Sequence, residues 1–519
     1  MSLQKNEKET FRILLISVNN LWRYSNVGVE QIAGYLRNIG FCVDILYHHK
    51  NLHYDEIIES LGLDYDFYGF SINSSNYSCC KLLVKYLRKQ TSNATIIFGG
   101  GYPTRYYQEI FDDIPDINYI VLGDGELPME NIINHTLHNE EIIFENNIVS
   151  LGNYDNKIPF CNDSINYFPA MDYYEKDSYA KNQRKEYCIQ TKNNICTGKC
   201  TFCTERKGNI VYKSISHIVK EIDIVHCKFG IKKFFFTDDN ILDPNNDIAK
   251  KRIDELCDAI QSLGHNLVFK CYIKANSLHD TKEDNELLKK MSDTGFKTIF
   301  VGIESGNNMD LKLYNKMTTV EENYTIIQLL RKYEIAPQIG FINFNPYSTL
   351  ESIKQNYYFL VGIEMDNLFM YVCSYMRVYK YTAMYGKIKK DGLDIAGEDY
   401  LDDKSLYKFA DSKVQRTFDF INKYMLPRVR KLDYEFDWLY SFFLETKKIN
   451  PNADIYSNEF SELKEIQLRK IKEFFYVLFV ENDLIESQKS VEEFLCFFEQ
   501  LQPRFAQLHR NLIQLYFAV

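Results

Sequence analysis

The chain has 519 residues, 45 % of them hydrophobic and 25 % charged, which is enough for two or three domains with their own cores and rules out a disordered scaffold. Its 61 basic residues are outnumbered by 71 acidic ones, a net charge of −10 with no basic block, so nucleic acid is not an expected partner. No segment reaches the roughly 18 uninterrupted apolar residues of a membrane span, so a cytoplasmic protein without membrane association is expected.

Residues 11–138 alternate strand-like and helix-like runs. FRILLISV (11–18), FCVDILYH (41–48), DFYGFSIN (66–73), ATIIFGG (94–100) and NYIVLGD (118–124) are short apolar runs rich in Ile, Val, Phe and Tyr, the pattern of buried parallel strands. Between them lie amphipathic stretches such as VEQIAGYLRNIG (29–40), where Ile32, Tyr35 and Leu36 share a face and Gly40 supplies a stop. A doubly wound α/β domain over residues 1–150 follows, and such domains bind ligands beyond the carboxyl ends of their strands. That edge carries Gly99-Gly100-Gly101-Tyr102-Pro103-Thr104 and Gly123-Asp124-Gly125-Glu126, which are either ligand loops or plain turns.

After a polar link (139–165), EYCIQTK (186–192), KKFFFTDD (232–239), VFKCYIKA (268–275), TIFVGIES (298–305), IGFINF (339–344) and NLFMYVCSYM (367–376) read as six further strands. Helical patterns at 217–229, 246–263, 283–294, 320–334 and 350–363 separate them, so residues 151–390 are expected to form a partial (β/α)6 barrel with its chemistry at the strand C-termini. From there to residue 519 the strands stop, and aromatic helices at 404–425, 435–447, 460–481 and 490–516 suggest a helical C-terminal domain.

The first barrel strand runs into ICTGKCTFCTE, where Cys196, Cys200 and Cys203 form a Cys-x3-Cys-x2-Cys array. Most of the 13 cysteines of a cytoplasmic chain are small buried apolar residues, but this spacing is too tight for chance. Structural zinc wants four ligands, and no second Cys or His pair completes the set; His217 and Cys188 lack the usual spacing. Three thiolates suit a [4Fe–4S] cluster that leaves one iron open to a small molecule.

Cys-x3-Cys-x2-Cys after the first strand of a βα barrel resembles the radical SAM superfamily. The resemblance implies S-adenosylmethionine (SAM) on the open iron, cleaved by the reduced cluster to a 5′-deoxyadenosyl radical, with electrons from a low-potential donor such as flavodoxin or ferredoxin. Phe202 matches the aromatic before the third cysteine, and Thr237-Asp238-Asp239-Asn240 and Gly302-Ile303-Glu304-Ser305-Gly306 are similar to motifs of the cobalamin-dependent branch. IIFGGGYPT (96–104) and YIVLGDGE (119–126) stand where that branch binds cobalamin, INYFPAMDYY (165–174) resembles its connector, and RVYKYTAMYGKIKKDGL (377–393) resembles the segment that closes the barrel. The likeness extends from about 11 to 393.

By this resemblance the cobalamin contacts are Trp22, Ser74, Ser75, Asn76, Gly100, Gly101, Thr104, Gly123, Gly125 and Glu126, and the SAM contacts are Phe202, Asp239, Lys274, Glu304, Ser305 and Gln338. Cys373 is a candidate for the substrate cavity, against the plainer reading of a core thiol. YIKANSL (272–278) and GFINFNPYST (340–349) depart from the branch, which usually has Arg and Asp at the first and a Gly-Leu-Pro-Gly-like turn at the second. No Asp-x-His-x-x-Gly is present, and Asp44, His48 and His49 lack its spacing, so no protein histidine is expected beneath cobalt. The expected reaction is methylation of an unactivated carbon in a small-molecule or peptide substrate. Radical cyclisation or rearrangement without methyl transfer is the alternative, and a non-catalytic cobalamin- or metal-binding sensor is the second.

Overall fold

A computed structural model describes residues 10–18, 26–48, 54–91, 93–160, 166–176, 186–193, 195–204, 209–242, 247–365, 368–395 and 407–517. Strands β1 (Arg12–Val18), β2 (Cys42–His48), β3 (Phe67–Ser71), β4 (Thr95–Gly99) and β5 (Tyr119–Val121) form a parallel sheet in the order β2-β1-β3-β4-β5, and the short β6 (Ile148–Val149) adds antiparallel to β5. Alternate strand residues feed two separate apolar cores, one on each face: Leu14, Ile16, Tyr68 and Phe98 on one side, Ile13, Leu15, Phe67 and Ile97 on the other. Both faces are covered by helices, as a parallel sheet requires. Helix Val27–Asn38 begins at Asn26, whose side chain accepts from Val29 N, and the chain turns out of it through Gly40 at φ +99°.

The second sheet is wholly parallel, in the order β11-β10-β9-β8-β7, built from β7 (Glu186–Ile189), β8 (Lys233–Phe236), β9 (Val268–Lys274), β10 (Phe296–Glu304) and β11 (Ala336–Phe341). Helices Ile215–Phe229, Asp247–Gln261, Lys282–Thr294, Val320–Lys332 and Leu350–Gly362 connect and follow them. The sixth expected strand takes another form. Residues Leu368–Val372 are helical, and this part of the chain joins the barrel through an isolated parallel bridge between Phe344 and Tyr375, a hydrogen bond from Asn343 Nδ2 to Val372 O at 2.6 Å, and core packing of Leu368, Phe369 and Val372. Its continuous apolar run suits a buried helical turn as well as a strand.

Helices Leu426–Ile449, Ser457–Tyr476 and Leu484–Phe517 follow, the first two flanked by the π-helical turns Ile421–Met425 and Val477–Glu481. They share one continuous core with the barrel: Phe369 lies 6.0 Å from Phe475, and Tyr357 Oη donates to Lys472 O at 2.8 Å. Between the two sheets, Gln31 Nε2 donates to Gln190 Oε1 at 3.1 Å, and Lys380 pairs with Glu109 at 3.0 Å. Among the described residues no helix is long and apolar enough to cross a membrane.

Candidate active site

The cysteine array lies on the loop after β7, and all three thiols are partly exposed. Gly198 N donates to Cys196 Sγ at 3.3 Å, and a Cβ at Gly198 would lie 3.3 Å from Cys196 Sγ, 3.8 Å from Cys200 Sγ and 3.7 Å from Lys274 Nζ. Two thiols and an ammonium thus converge on a position kept clear by glycine. Asp238 fixes the loop's root: its buried carboxylate accepts from Thr191 N, Thr191 Oγ1 and Lys192 N at 2.9–3.2 Å. Burial pushes the Asp238 carboxyl up, against the pull of Lys192 and these hydrogen bonds. Asp239, the expected contact, is the half-buried neighbour.

Residues 313–315, which the sequence had not marked, and Met384 of the expected barrel-closing segment hold the loop from the other side. Thr201 N and Oγ1 donate to Tyr314 O (2.9 Å) and Leu313 O (3.0 Å), Asn315 Nδ2 donates to Lys199 O (2.9 Å), and Met384 N donates to Thr201 O (2.8 Å). The Phe202 ring meets the buried Tyr314 ring edge-on at 5.6 Å. Asn345, in the departing GFINFNPYST stretch, supports that tyrosine by donating to its Oη at 2.9 Å and to Asp310 Oδ1 at 3.0 Å. The residue after Asn315, Lys316, is buried and donates to Glu304 Oε1 at 2.8 Å. Burial alone would lower the Lys316 pKa; Glu304, Cys200 and Cys203 outweigh it and raise the value. Glu304 has φ +65°, a strained setting for a non-glycine residue at the end of β10.

Among the other expected SAM contacts, Gln338 is exposed on β11, opposite Phe300 of β10. Ser305 is fully buried, and its hydroxyl is bonded to Asn356 Oδ1 at 2.8 Å. It therefore braces the turn after β10 rather than presenting its side chain at the rim. Cys373 is half-buried against the shared core, and its backbone N donates to Phe369 O. His217 stacks on Phe168 at 4.0 Å, and Cys188 is buried within β7, so each of these zinc alternatives is engaged elsewhere.

The carboxyl edge of the first sheet opens into a cavity of about 450 Å³. Gly100, Gly101, Thr104, Gly123, Gly125 and Glu126, all named from the sequence as cobalamin contacts, line it, and so do Ser71, Arg105 and Asp124. Thr104 joins the two glycine loops: its Oγ1 donates to Gly100 O at 2.8 Å and accepts from Gly123 N at 3.3 Å. Gly123, at φ +86°, is needed because a Cβ there would lie 2.2 Å from Phe160 O. Glu126 accepts from the connector's Tyr167 hydroxyl, which raises the pKa of that tyrosine together with burial, the larger cause. Ser74, Ser75 and Asn76 are not among the lining residues. Asn76 Nδ2 instead donates to Val18 O and Ser71 O at 2.7 and 2.9 Å, tying β1 to β3, and Ser75 Oγ donates to Asn73 Oδ1. Trp22 lies outside the described residues.

Gln190, Thr204 and Thr237 of the barrel line the same cavity, and Thr204 directly follows Cys203. The strand-end cavity and the cysteine loop therefore adjoin. A radical SAM family model matches residues 192–359, and a B12-binding domain model matches 12–133, so each of the two adjoining sites lies within or beside one of these matches. The chain belongs to the cobalamin-dependent radical SAM family. These two domains imply a [4Fe–4S] cluster, SAM and cobalamin, and the residues fit them: three thiols beside the Lys274 and Lys316 ammonium groups, and a glycine-lined cavity at a parallel sheet's carboxyl edge.

The fold of this family member is similar to that of the cobalamin-dependent S-adenosylmethionine radical enzyme OxsB, with a TM-score of 0.79, 17 % identity, and coverage of 98 % of this chain and 82 % of that one. An uncharacterized methyltransferase of Pyrococcus horikoshii is 21 % identical over 315 residues, 58 % of this chain and 65 % of that protein. The anaerobic magnesium-protoporphyrin IX monomethyl ester cyclase of a Synechocystis species is 22 % identical over 329 residues, 61 % of this chain and 63 % of that protein. The chain thus spans just under two thirds of the length of these two curated relatives.

Proposed function

We propose that the chain methylates an unactivated carbon of a small-molecule or peptide substrate, with SAM both as methyl source and as radical source. One observation carries this reading: Thr204, next to Cys203, lines the same cavity as Gly100, Gly101 and Gly123. A group held at the cobalamin edge and a radical made at the cluster would then meet one substrate. When bound, the cluster and cobalamin supply reductive SAM cleavage and a transferable methyl group.

The chain's own residues bind and orient. Lys274 and Lys316 supply positive charge at the thiolates; Glu304, at the end of β10, and Gln338, within the neighbouring β11, are candidate SAM contacts. Thr104 holds both glycine loops in place around the cavity. A small low-potential donor of the flavodoxin or ferredoxin class supplies the electrons.

Anaerobic incubation with SAM and reductant tests the class. Formation of 5′-deoxyadenosine that requires Cys200 supports it; none formed by a protein carrying a full cluster contradicts it. The similarity to a protein named as a cyclase favours one second reading, radical cyclisation without methyl transfer.

A further inference from the structure

We propose that Asp223, Cys227 and His265 form a zinc site on the outer side of the barrel, separate from the cysteine array. Helix Ile215–Phe229 places Asp223 and Cys227 one turn apart on one face, and His265 arrives from the segment between helix Asp247–Gln261 and β9. His265 Nε2 lies 2.9 Å, and Cys227 Sγ 3.5 Å, from Asp223 Oδ1, and the three ligand atoms fall within 4.8 Å of one another. Ligands around a tetrahedral zinc ion stand about 3.5 Å apart, so small side-chain rotations would admit the ion. Among the described residues no other group of three His, Cys, Asp or Glu atoms gathers this closely.

A second imidazole stands beside this group of three without belonging to it. The His226 ring centroid lies 4.3 Å from that of His265, and His226 Nδ1 is 2.8 Å from Ile231 O. That contact places the proton on Nδ1 and leaves the Nε2 lone pair for a metal, the tautomer set by backbone contacts in many metal sites. The cluster occupies the last two turns of the helix, just before the left-handed Gly230 cap, where the helix's unpaired carbonyls favour a cation. Mixed thiolate, imidazole and carboxylate donors select zinc over magnesium or calcium. The ion would tie the end of the first barrel helix to the chain entering the third strand. A histidine–aspartate pair that happens to neighbour a thiol is the plainer account, and it predicts no bound metal.

Zinc titration of the cluster-loaded protein, in competition with a chromophoric chelator, tests the proposal. One zinc per chain should bind in the wild type. Cys227→Ser and His265→Gln should each weaken binding by more than about 100-fold. A variant with Cys196, Cys200 and Cys203 all replaced by Ala should keep the site. The proposal is overturned if the wild type binds no zinc, if Cys227→Ser and His265→Gln bind it unchanged, or if the ion is lost with the array cysteines.

Discussion

Lys316 Nζ sits 2.8 Å from Glu304 Oε1, with side chains only 6 % and 13 % exposed, in a space kept open by glycine. A Cβ at Gly302 would lie 2.6 Å from the ammonium and 2.8 Å from Glu304 Oε1, and one at Gly340 would lie 3.4 Å from Glu304 Oε2. Cys200 and Cys203 interact electrostatically with the Lys316 ammonium, so its charge is felt at the array.

Replacing Lys316 with Met removes that cation and leaves Glu304 partly buried without its lysine partner. Breaking a buried pair from one side costs about 3–5 kcal/mol, which should appear as a lower denaturation midpoint. The cluster's midpoint potential should also fall, because a nearby positive charge favours the more negative reduced state. An EPR-monitored redox titration that finds the potential unchanged would remove Lys316 from the electrostatic account.

The same lysine sets a pH dependence. Its folded-state pKa is raised above the ordinary 10.5, so the pair's stabilisation is present below 10.5 and lost as pH climbs through the raised value. Alkaline denaturation above pH 10.5 should therefore be steeper in the wild type than in Lys316→Met. Parallel curves for the two proteins would contradict this.

Gly302→Ala separates geometry from charge. The added methyl group must displace Lys316 Nζ or Glu304, so 5′-deoxyadenosine formation should drop at least about tenfold while iron content stays at four per chain. Normal turnover in this variant would show that the pair can move without consequence.

Much of this arrangement was legible in the sequence, and the divide follows distance along the chain. The strands of both sheets are short apolar runs bounded by turns, and the array and glycine loops are local patterns, so each declares itself within about ten residues. The grip of Leu313, Tyr314 and Asn315 on the array loop joins positions more than 100 residues apart and has no local signal. Ser74, Ser75 and Asn76 were expected at the cavity because they follow β3. Asn76 turns back to stitch β1 to β3, and Ser71, the last residue of β3, lines the cavity in their place. The run 367–376 misled for a different reason: its six consecutive apolar residues, 368–373, show no alternation and serve a helical turn as well as a strand.

Thr104→Val should loosen the cobalamin edge without touching the cluster. It removes the hydroxyl that bridges Gly100 O and Gly123 N, two bonds worth about 0.5–1.5 kcal/mol each. Cobalamin affinity should fall by roughly 5- to 100-fold at unchanged iron content. Loss of iron together with cobalamin would mean that the two sites do not behave independently. Cys200→Ala is the converse: it leaves two thiolates, too few to hold the cluster, while the first sheet keeps its own two cores and should still bind cobalamin.

The central claim is methyl transfer, and turnover with SAM deuterated at its methyl group tests it most directly. A methylase uses one SAM to supply the methyl group and another to make the radical, so the product should carry the deuterated methyl, and S-adenosylhomocysteine and 5′-deoxyadenosine should form in about equal amounts. A product of unchanged carbon count, formed with 5′-deoxyadenosine but without stoichiometric S-adenosylhomocysteine, would contradict the account and favour cyclisation or rearrangement.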